Sequence, residues 1–230
     1  SGDYDFAVEV YGDSMHDALQ PVDRRGCHVE LFKVGSKLFT RYGPALVEAL
    51  GERDVEVFLD LKFHDIPSTV GAAVESAVAL DNVFMITVHA SGGQQMVRAA
   101  VEASARADSP PEIVAVTALT SLSEPEIRAF GVETSLEQWA ETLATSATEA
   151  GADGVVCSAR EAARFREVLG SSPILVTPGI RLDDNADDDQ TRVMSPGDAL
   201  AAGSSYLVIG RPIYQADDPV DAITRIATDL

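Results

Sequence analysis

The chain has 230 residues, 46% of them hydrophobic and 23% charged, and its 37 acids against 17 bases give a formal net charge of −20. Such a composition is globular, and a chain of this length can bury roughly 70–75% of its unfolded surface. Nucleic acid and anionic membranes both require a basic face, so neither is expected as a partner.

Apolar, β-branched runs recur along the chain with helix-like stretches between them. "FAVEV" (6–10) reads as a first strand. "VELFKV" (29–34) is a second, followed by helical spacing in "SKLFTRYGPALVEALGE" (36–52). "VEVFLDL" (55–61) leads into "PSTVGAAVESAVAL" (67–80), and "FMITVH" (84–89) into "GGQQMVRAAVEASARA" (92–107). "EIVAVTA" (112–118) precedes "SLEQWAETLATSATEAG" (135–151), and "GVVCS" (154–158) precedes "AREAARFREVLG" (159–170). "ILVTP" (174–178) and "YLVIG" (206–210) complete eight strands. Strands alternating with helices imply parallel pairing through crossovers. Eight such units in this length predict a single-domain (β/α)8, or TIM, barrel, with a doubly wound open sheet as the alternative. One polar, Asp-rich stretch, residues 178–198, reads as a long loop after the seventh strand, where barrels often bind phosphate.

The two cysteines, Cys27 and Cys157, are far apart and lack metal or disulfide spacing. No apolar run is long enough to span a membrane, and "SGDYDFAVEV" lacks the basic and apolar regions of a signal peptide, so a soluble, cytoplasmic protein is expected. His16, His28, His64 and His89 do not form a metal-ligand pattern, and neither a phosphate-binding P-loop nor a dinucleotide fingerprint is present. His89 reads as a structural hydrogen-bonding residue, Trp139 as core, and Ser158 has no readable triad partners. No metal and no cofactor is expected.

Barrel chemistry lies at the C-terminal ends of the strands. Those ends carry Tyr11, Lys33, Asp60 with Lys62, His89, Thr117 to Thr120, Cys157 with Ser158, Thr177 with Pro178, and Gly210 with Arg211. Side chains alternate along a strand, so Asp60 and Lys62 point the same way and Lys33 ends the neighbouring strand. The plain reading of this cluster is an ion pair capping the barrel. The functional reading is a lysine kept protonated by flanking acids, which suits delivery of a proton to a carbanion and not Schiff-base chemistry. An anionic substrate would gather the scarce basic residues, and "VIGRPI" (208–213) with "TPGIR" (177–181) reads as a phosphate grip built on Gly210, Arg211 and Arg181.

"DLKFHDIP" (60–67) resembles the D-x-K-x-x-D-I-P signature of the orotidine 5′-monophosphate decarboxylase family. "FKVG" (32–35), "VHASGG" (88–93), "VTALTS" (116–121), "VTPGIR" (176–181), "DDQTRVMSP" (188–196) and "VIGRPI" are similar to the same family in the same order, from about Val29 to the C-terminus. The resemblance implies a homodimeric (β/α)8 barrel that decarboxylates orotidine 5′-monophosphate to UMP without a cofactor. It implies a charged tetrad of Lys33, Asp60, Lys62 and Asp65, in which Lys62 protonates pyrimidine C6 and Asp60 lies beside the departing carboxylate. Asp65, Ile66 and Thr69 would enter the neighbouring subunit's site. Thr120 would face the pyrimidine, Pro178, Arg181 and Gln190 would belong to a closing loop, and Gly210 with Arg211 would hold the phosphate.

The first strand departs from this pattern. In the family it ends in an Asp that binds ribose hydroxyls and contacts a lysine of the array. Counting back from "FKVG" without gaps puts Tyr11 at that position and Glu9 in place of a small residue on the same face, where an acid is costly unless paired. A small register shift would bring in Asp13 instead. Two other readings stay open: a catalytically impaired nucleotide-binding barrel, and a Mg²⁺-dependent sugar-phosphate synthase or decarboxylase, which shares D-x-K-x-x-D but lacks the following Ile-Pro-x-Thr.

Overall fold

The computed structural model describes residues 5–9, 14, 15, 19, 31–180 and 194–229. Eight strands close into a barrel in chain order: β1 (Asp5–Glu9), β2 (Leu31–Gly35), β3 (Glu56–Phe63), β4 (Val83–His89), β5 (Glu112–Val116), β6 (Gly154–Val156), β7 (Ile174–Pro178) and β8 (Tyr206–Ile209). Every neighbouring pair is parallel, and β1 pairs with β8 from Asp5↔Tyr206 to Val8↔Ile209, which closes the ring. The expected eight strands are therefore all present, and the open sheet is excluded.

Alternation along the strands sorts side chains into two cores. Ala7, Leu31, Phe58, Met85, Val114, Val176 and Val208 fill the barrel interior. Phe32, Val34, Val57, Leu59, Ile86 and Val88, one residue out of phase, pack outward with helix residues such as Leu46, Leu50, Val70, Val74 and Met96. Full burial of each large side chain is worth about 1.5–3 kcal/mol, so the two-sided core is the main stabilising element.

The helices with bounds among the described residues are α1 (Ser36–Tyr42), α2 (Pro44–Gly51), α3 (Pro67–Ala77), α4 (Gln94–Ser104), α5 (Glu124–Ala129), α6 (Leu136–Glu149), α7 (Ala162–Leu169), α8 (Pro196–Ala201), α9 (Arg211–Tyr214) and α10 (Pro219–Asp229). The stretch read as one helix over 36–52 is two. Gly43, at φ 59°, takes a left-handed conformation between them, and Pro44 starts the second. Pro67 likewise starts α3 and holds Ile66 extended at ψ 154°. The loop expected over 178–198 gives way to α8 at Pro196, and Ile180 forms a parallel bridge with Met194.

The β3–β4 pairing is irregular at one place. Leu59 pairs with Ile86 and Phe63 with Val88, so Asp60, Leu61 and Lys62 lie opposite the single residue Thr87. This bulge places Lys62 at φ 52°. A left-handed lysine costs on the order of 1–3 kcal/mol and persists only where its surroundings enforce it.

Candidate active site

The C-terminal mouth of the barrel holds a cavity of about 450 Å³. Its walls include Glu9, Lys33, Asp60, Lys62, Thr120, Pro178, Gly210 and Arg211, with Leu119, Cys157, Gly179 and Tyr214. Glu9, Lys33 and Asp60 reach it from strands whose next inward position, one layer down, is apolar: Ala7 beneath Glu9, Leu31 beneath Lys33, Phe58 beneath Asp60.

The charges form an alternating row. Lys33 Nζ lies 2.5 Å from Glu9 Oε1 and 2.9 Å from Asp60 Oδ2, and Lys62 Nζ lies 2.7 Å from Asp60 Oδ1. The side chains of Lys33 and Asp60 are 8% and 9% exposed, whereas that of Lys62 is 38% exposed. The inner pair is thus nearly buried, and Lys62 is the more exposed cation of the row. Burial alone lowers the pKa of Lys33, but the Asp60 and Glu9 carboxylates outweigh it and hold the ammonium above its ordinary value. Burial alone raises the pKa of Asp60, and Lys33 and Lys62 outweigh it in the opposite sense. Each buried charge is stable here because its neighbours carry the opposite sign.

Both oxygens of Asp60 are engaged. Oδ2 accepts from Lys33, and Oδ1 accepts from Lys62 and from the hydroxyl of Thr87 at 3.0 Å. Thr87 Oγ1 also accepts the Lys62 backbone N–H at 2.7 Å. Asp60 and Lys62 share a side of the sheet, as simple alternation predicts, but through the bulge and not through a regular pleat.

Glu9, an acid that is costly on this face unless paired, is paired: it stands in register with Lys33 and caps the row. Asp65, expected to serve a neighbouring subunit, does not join the row within its own chain. It is exposed, and its Oδ1 accepts the Ile66 N–H at 2.6 Å. Ile66, 63% exposed, and Thr69, also exposed, lie outside the cavity with it. Tyr11, Asp13, Arg181 and Gln190 lie outside the described residues.

Glu9, Thr87 and Tyr214 were not assigned to the site from sequence. A glutamate in a strand and a threonine in "FMITVH" are individually ordinary, and only the register of β1 on β2 and the bulge of β3 on β4 bring them to the array. Cys157 lines the cavity, but burial pushes its thiol pKa up, which makes it a poor nucleophile. His89 Nδ1 lies 2.8 Å from Ser91 Oγ and its ring stacks on His64 with centroids 5.2 Å apart, a structural arrangement as expected. No group of three or more His, Cys, Asp or Glu suited to a metal ion occurs among the described residues. Nor is any described helix long and apolar enough to cross a membrane.

Residues 12–226 match the Orotidine 5′-phosphate decarboxylase / HUMPS family. A protein of Saccharophagus degradans named orotidine 5′-phosphate decarboxylase is 45% identical over 218 residues, covering 95% of this chain and 91% of its own. One of the same name from Chromobacterium violaceum is 52% identical over 198 residues, covering 86% of this chain and 80% of its own. The crystal structure of orotidine 5′-phosphate decarboxylase from Lactobacillus acidophilus superposes with a TM-score of 0.86 at 32% identity, covering 99% of both chains.

Proposed function

The chain belongs to the orotidine 5′-phosphate decarboxylase / HUMPS family, and we propose that it converts orotidine 5′-monophosphate to UMP and CO2, the closing step of de novo pyrimidine nucleotide synthesis, with no cofactor. The observation that carries this reading is the Lys62 ammonium, presented to the cavity and held 2.7 Å from the buried Asp60 carboxylate.

In the proposed reaction the bond between pyrimidine C6 and its carboxylate breaks, CO2 leaves, and the electron pair stays on C6. Lys62 Nζ gives its proton to C6 and later regains one from water. The carbanion has little resonance help, so the adjacent ammonium in a partly enclosed site supplies its stabilisation. Asp60 crowds the substrate carboxylate, and that repulsion falls as CO2 departs. Lys33 fixes Asp60, and Glu9 fixes Lys33 as the first strand's acid, with its side chain 26% exposed toward the cavity. Tyr11 is then not required for that contact.

Thr120 is assigned to the pyrimidine, and Gly210 with Arg211 to the phosphate. Pro178, Arg181 and Gln190 are assigned to a segment that closes over the nucleotide. Phosphate contacts remote from C6 supply binding energy that offsets crowding at the reacting carboxylate. Asp65, Ile66 and Thr69, absent from their own chain's cavity and exposed, are assigned to the site of a second copy in a homodimer.

The test is to mix the folded protein with orotidine 5′-monophosphate, follow loss of orotate absorbance, and measure UMP binding by calorimetry in parallel. Turnover with UMP formation is expected. UMP binding without turnover would replace this reading with an impaired nucleotide-binding barrel.

A further inference from the structure

Building on that proposed reaction, we propose that Thr87 is a positioning residue that sets both halves of the proton-delivery pair: its single hydroxyl orients the Asp60 carboxylate and pins the bulged backbone from which Lys62 reaches the cavity.

Thr87 is fully buried in β4, touches no part of the cavity, and is the one residue facing the three-residue bulge of β3. A hydroxyl has one proton and two lone pairs. Thr87 spends the proton on Asp60 Oδ1 at 3.0 Å and accepts the Lys62 N–H at 2.7 Å. The two bonds support each other, because the Lys62 N–H occupies one lone pair of the oxygen while its proton points to Asp60 Oδ1. The second bond also satisfies an N–H that the bulge withdraws from the regular ladder. Lys62 Nζ then returns to the same Asp60 oxygen at 2.7 Å, closing a loop from Lys62 N through Thr87 and Asp60 to Lys62 Nζ. The left-handed φ of Lys62 is thus held through its backbone N–H and through the Nζ of its side chain.

Residues that act only by filling space would be judged by volume, and Thr87 by its hydroxyl. Two pairs separate these. Thr87→Val keeps the shape and removes the hydroxyl, and Thr87→Ser against Thr87→Ala repeats the comparison without the methyl group. With orotidine 5′-monophosphate, the hydroxyl-free member of each pair should lose about tenfold or more in kcat, with KM and UMP affinity within about threefold. Thr87→Ser should stay within about threefold of wild type in kcat. Amide hydrogen exchange at Lys62, read by NMR on nucleotide-free protein, should lose protection by about tenfold or more in Thr87→Val. That arm needs no turnover, so it is informative even if the wild type proves inactive and the proposed function falls. Unchanged exchange at Lys62, a kcat in Thr87→Val equal to wild type, or an equal loss in Thr87→Ser and Thr87→Ala would each overturn the assignment.

Discussion

Glu9 of β1 and Lys33 of β2 stand in register on adjacent strands, and their side chains meet at 2.5 Å inside the barrel mouth. The first strand therefore supplies an acid to the charged row from a position two residues before Tyr11. Glu9→Gln keeps the size and removes the charge. Lys33 then retains the effect of burial, which lowers its pKa, with only Asp60 opposing it. The expected result is a kcat/KM lower by about tenfold and an alkaline limb of its pH profile moved to lower pH. A profile identical to wild type would remove Glu9 from the site.

The inner pair also makes stability depend on pH in a defined sense. Asp60 has a folded pKa below its ordinary value, so its contribution is complete above that value and is lost as pH falls through the depressed one. Lys33 has a folded pKa above its ordinary value, so its contribution is complete below 10.5 and is lost only as pH rises beyond it. Asp60→Asn should destabilise the protein by about 3 kcal/mol near neutral pH, because it leaves a buried ammonium with one carboxylate in place of two. Thermal melts of both proteins from acid to neutral pH check this: the gap should narrow only below the ordinary aspartate range. A gap constant with pH would mean that packing and not charge is responsible.

The fold was largely legible because buried parallel strands are apolar on both faces and stand out as short β-branched runs. All eight did so, from "FAVEV" to "YLVIG". The helices were less legible where they are short. α5, α8 and α9 have four to six residues, too few for a 3.6-residue period to appear, and each starts from local chemistry instead. Ser123 with Glu126 forms a capping box, and Ser195 caps α8. The stripe of Ala222, Ile223 and Ile226 in α10 is readable in retrospect and supplies the helix that follows β8.

The site was legible to the extent that it is local. Asp60 and Lys62 are two residues apart, and Lys33 lies on the adjacent strand. Glu9 and Thr87 depend on register, which a list of residues does not contain. Gapless counting from "FKVG" points to Tyr11, which lies outside the described residues, and only the register of β1 on β2 sets Glu9 against Lys33. The bulge has no local signature, since lysine is a poor choice for a left-handed position and only the tertiary bonds of Thr87 and Asp60 hold it there.

At the opposite end of the barrel, Arg166 of α7 ties three segments together. Its Nε donates to the Gly203 carbonyl at 2.8 Å, Nη1 to the Pro173 carbonyl at 2.6 Å, and Nη2 to Ser205 Oγ at 2.9 Å. Ser205 Oγ in turn accepts the Leu175 N–H at 3.0 Å. The turn before β8 can lie this close because residue 203 is glycine: a Cβ there would sit 2.6 Å from Arg166 Cγ, at a backbone φ of 104°. The N-terminal face of such barrels serves stability. Arg166→Ala should lower stability by about 2 kcal/mol, the net worth of charge-assisted bonds at a half-buried site, and lower Tm by roughly 4–8 °C. Its kcat and KM should match wild type, and a selective loss of kcat would assign the residue a role beyond the scaffold.

Lys62 and Asp65 are three residues apart yet belong to different environments, one lining the cavity and the other exposed beside the start of α3. In the proposed homodimer each complete site takes Lys62 from one copy and Asp65 from the other. Lys62→Ala alone should abolish turnover while UMP still binds, since in the proposed reaction the ammonium acts on C6 and the phosphate is held by Gly210 and Arg211. Asp65→Ala alone should also be nearly inactive. Mixed in equal amounts and allowed to exchange subunits, the two inactive proteins should recover activity. Half the dimers are then mixed, each with one site carrying both substitutions and one site intact, so about a quarter of wild-type activity returns per total site. Activity that stays at zero after exchange, with mixed dimers verified by mass, would place Asp65 in its own chain's site or outside the reaction altogether.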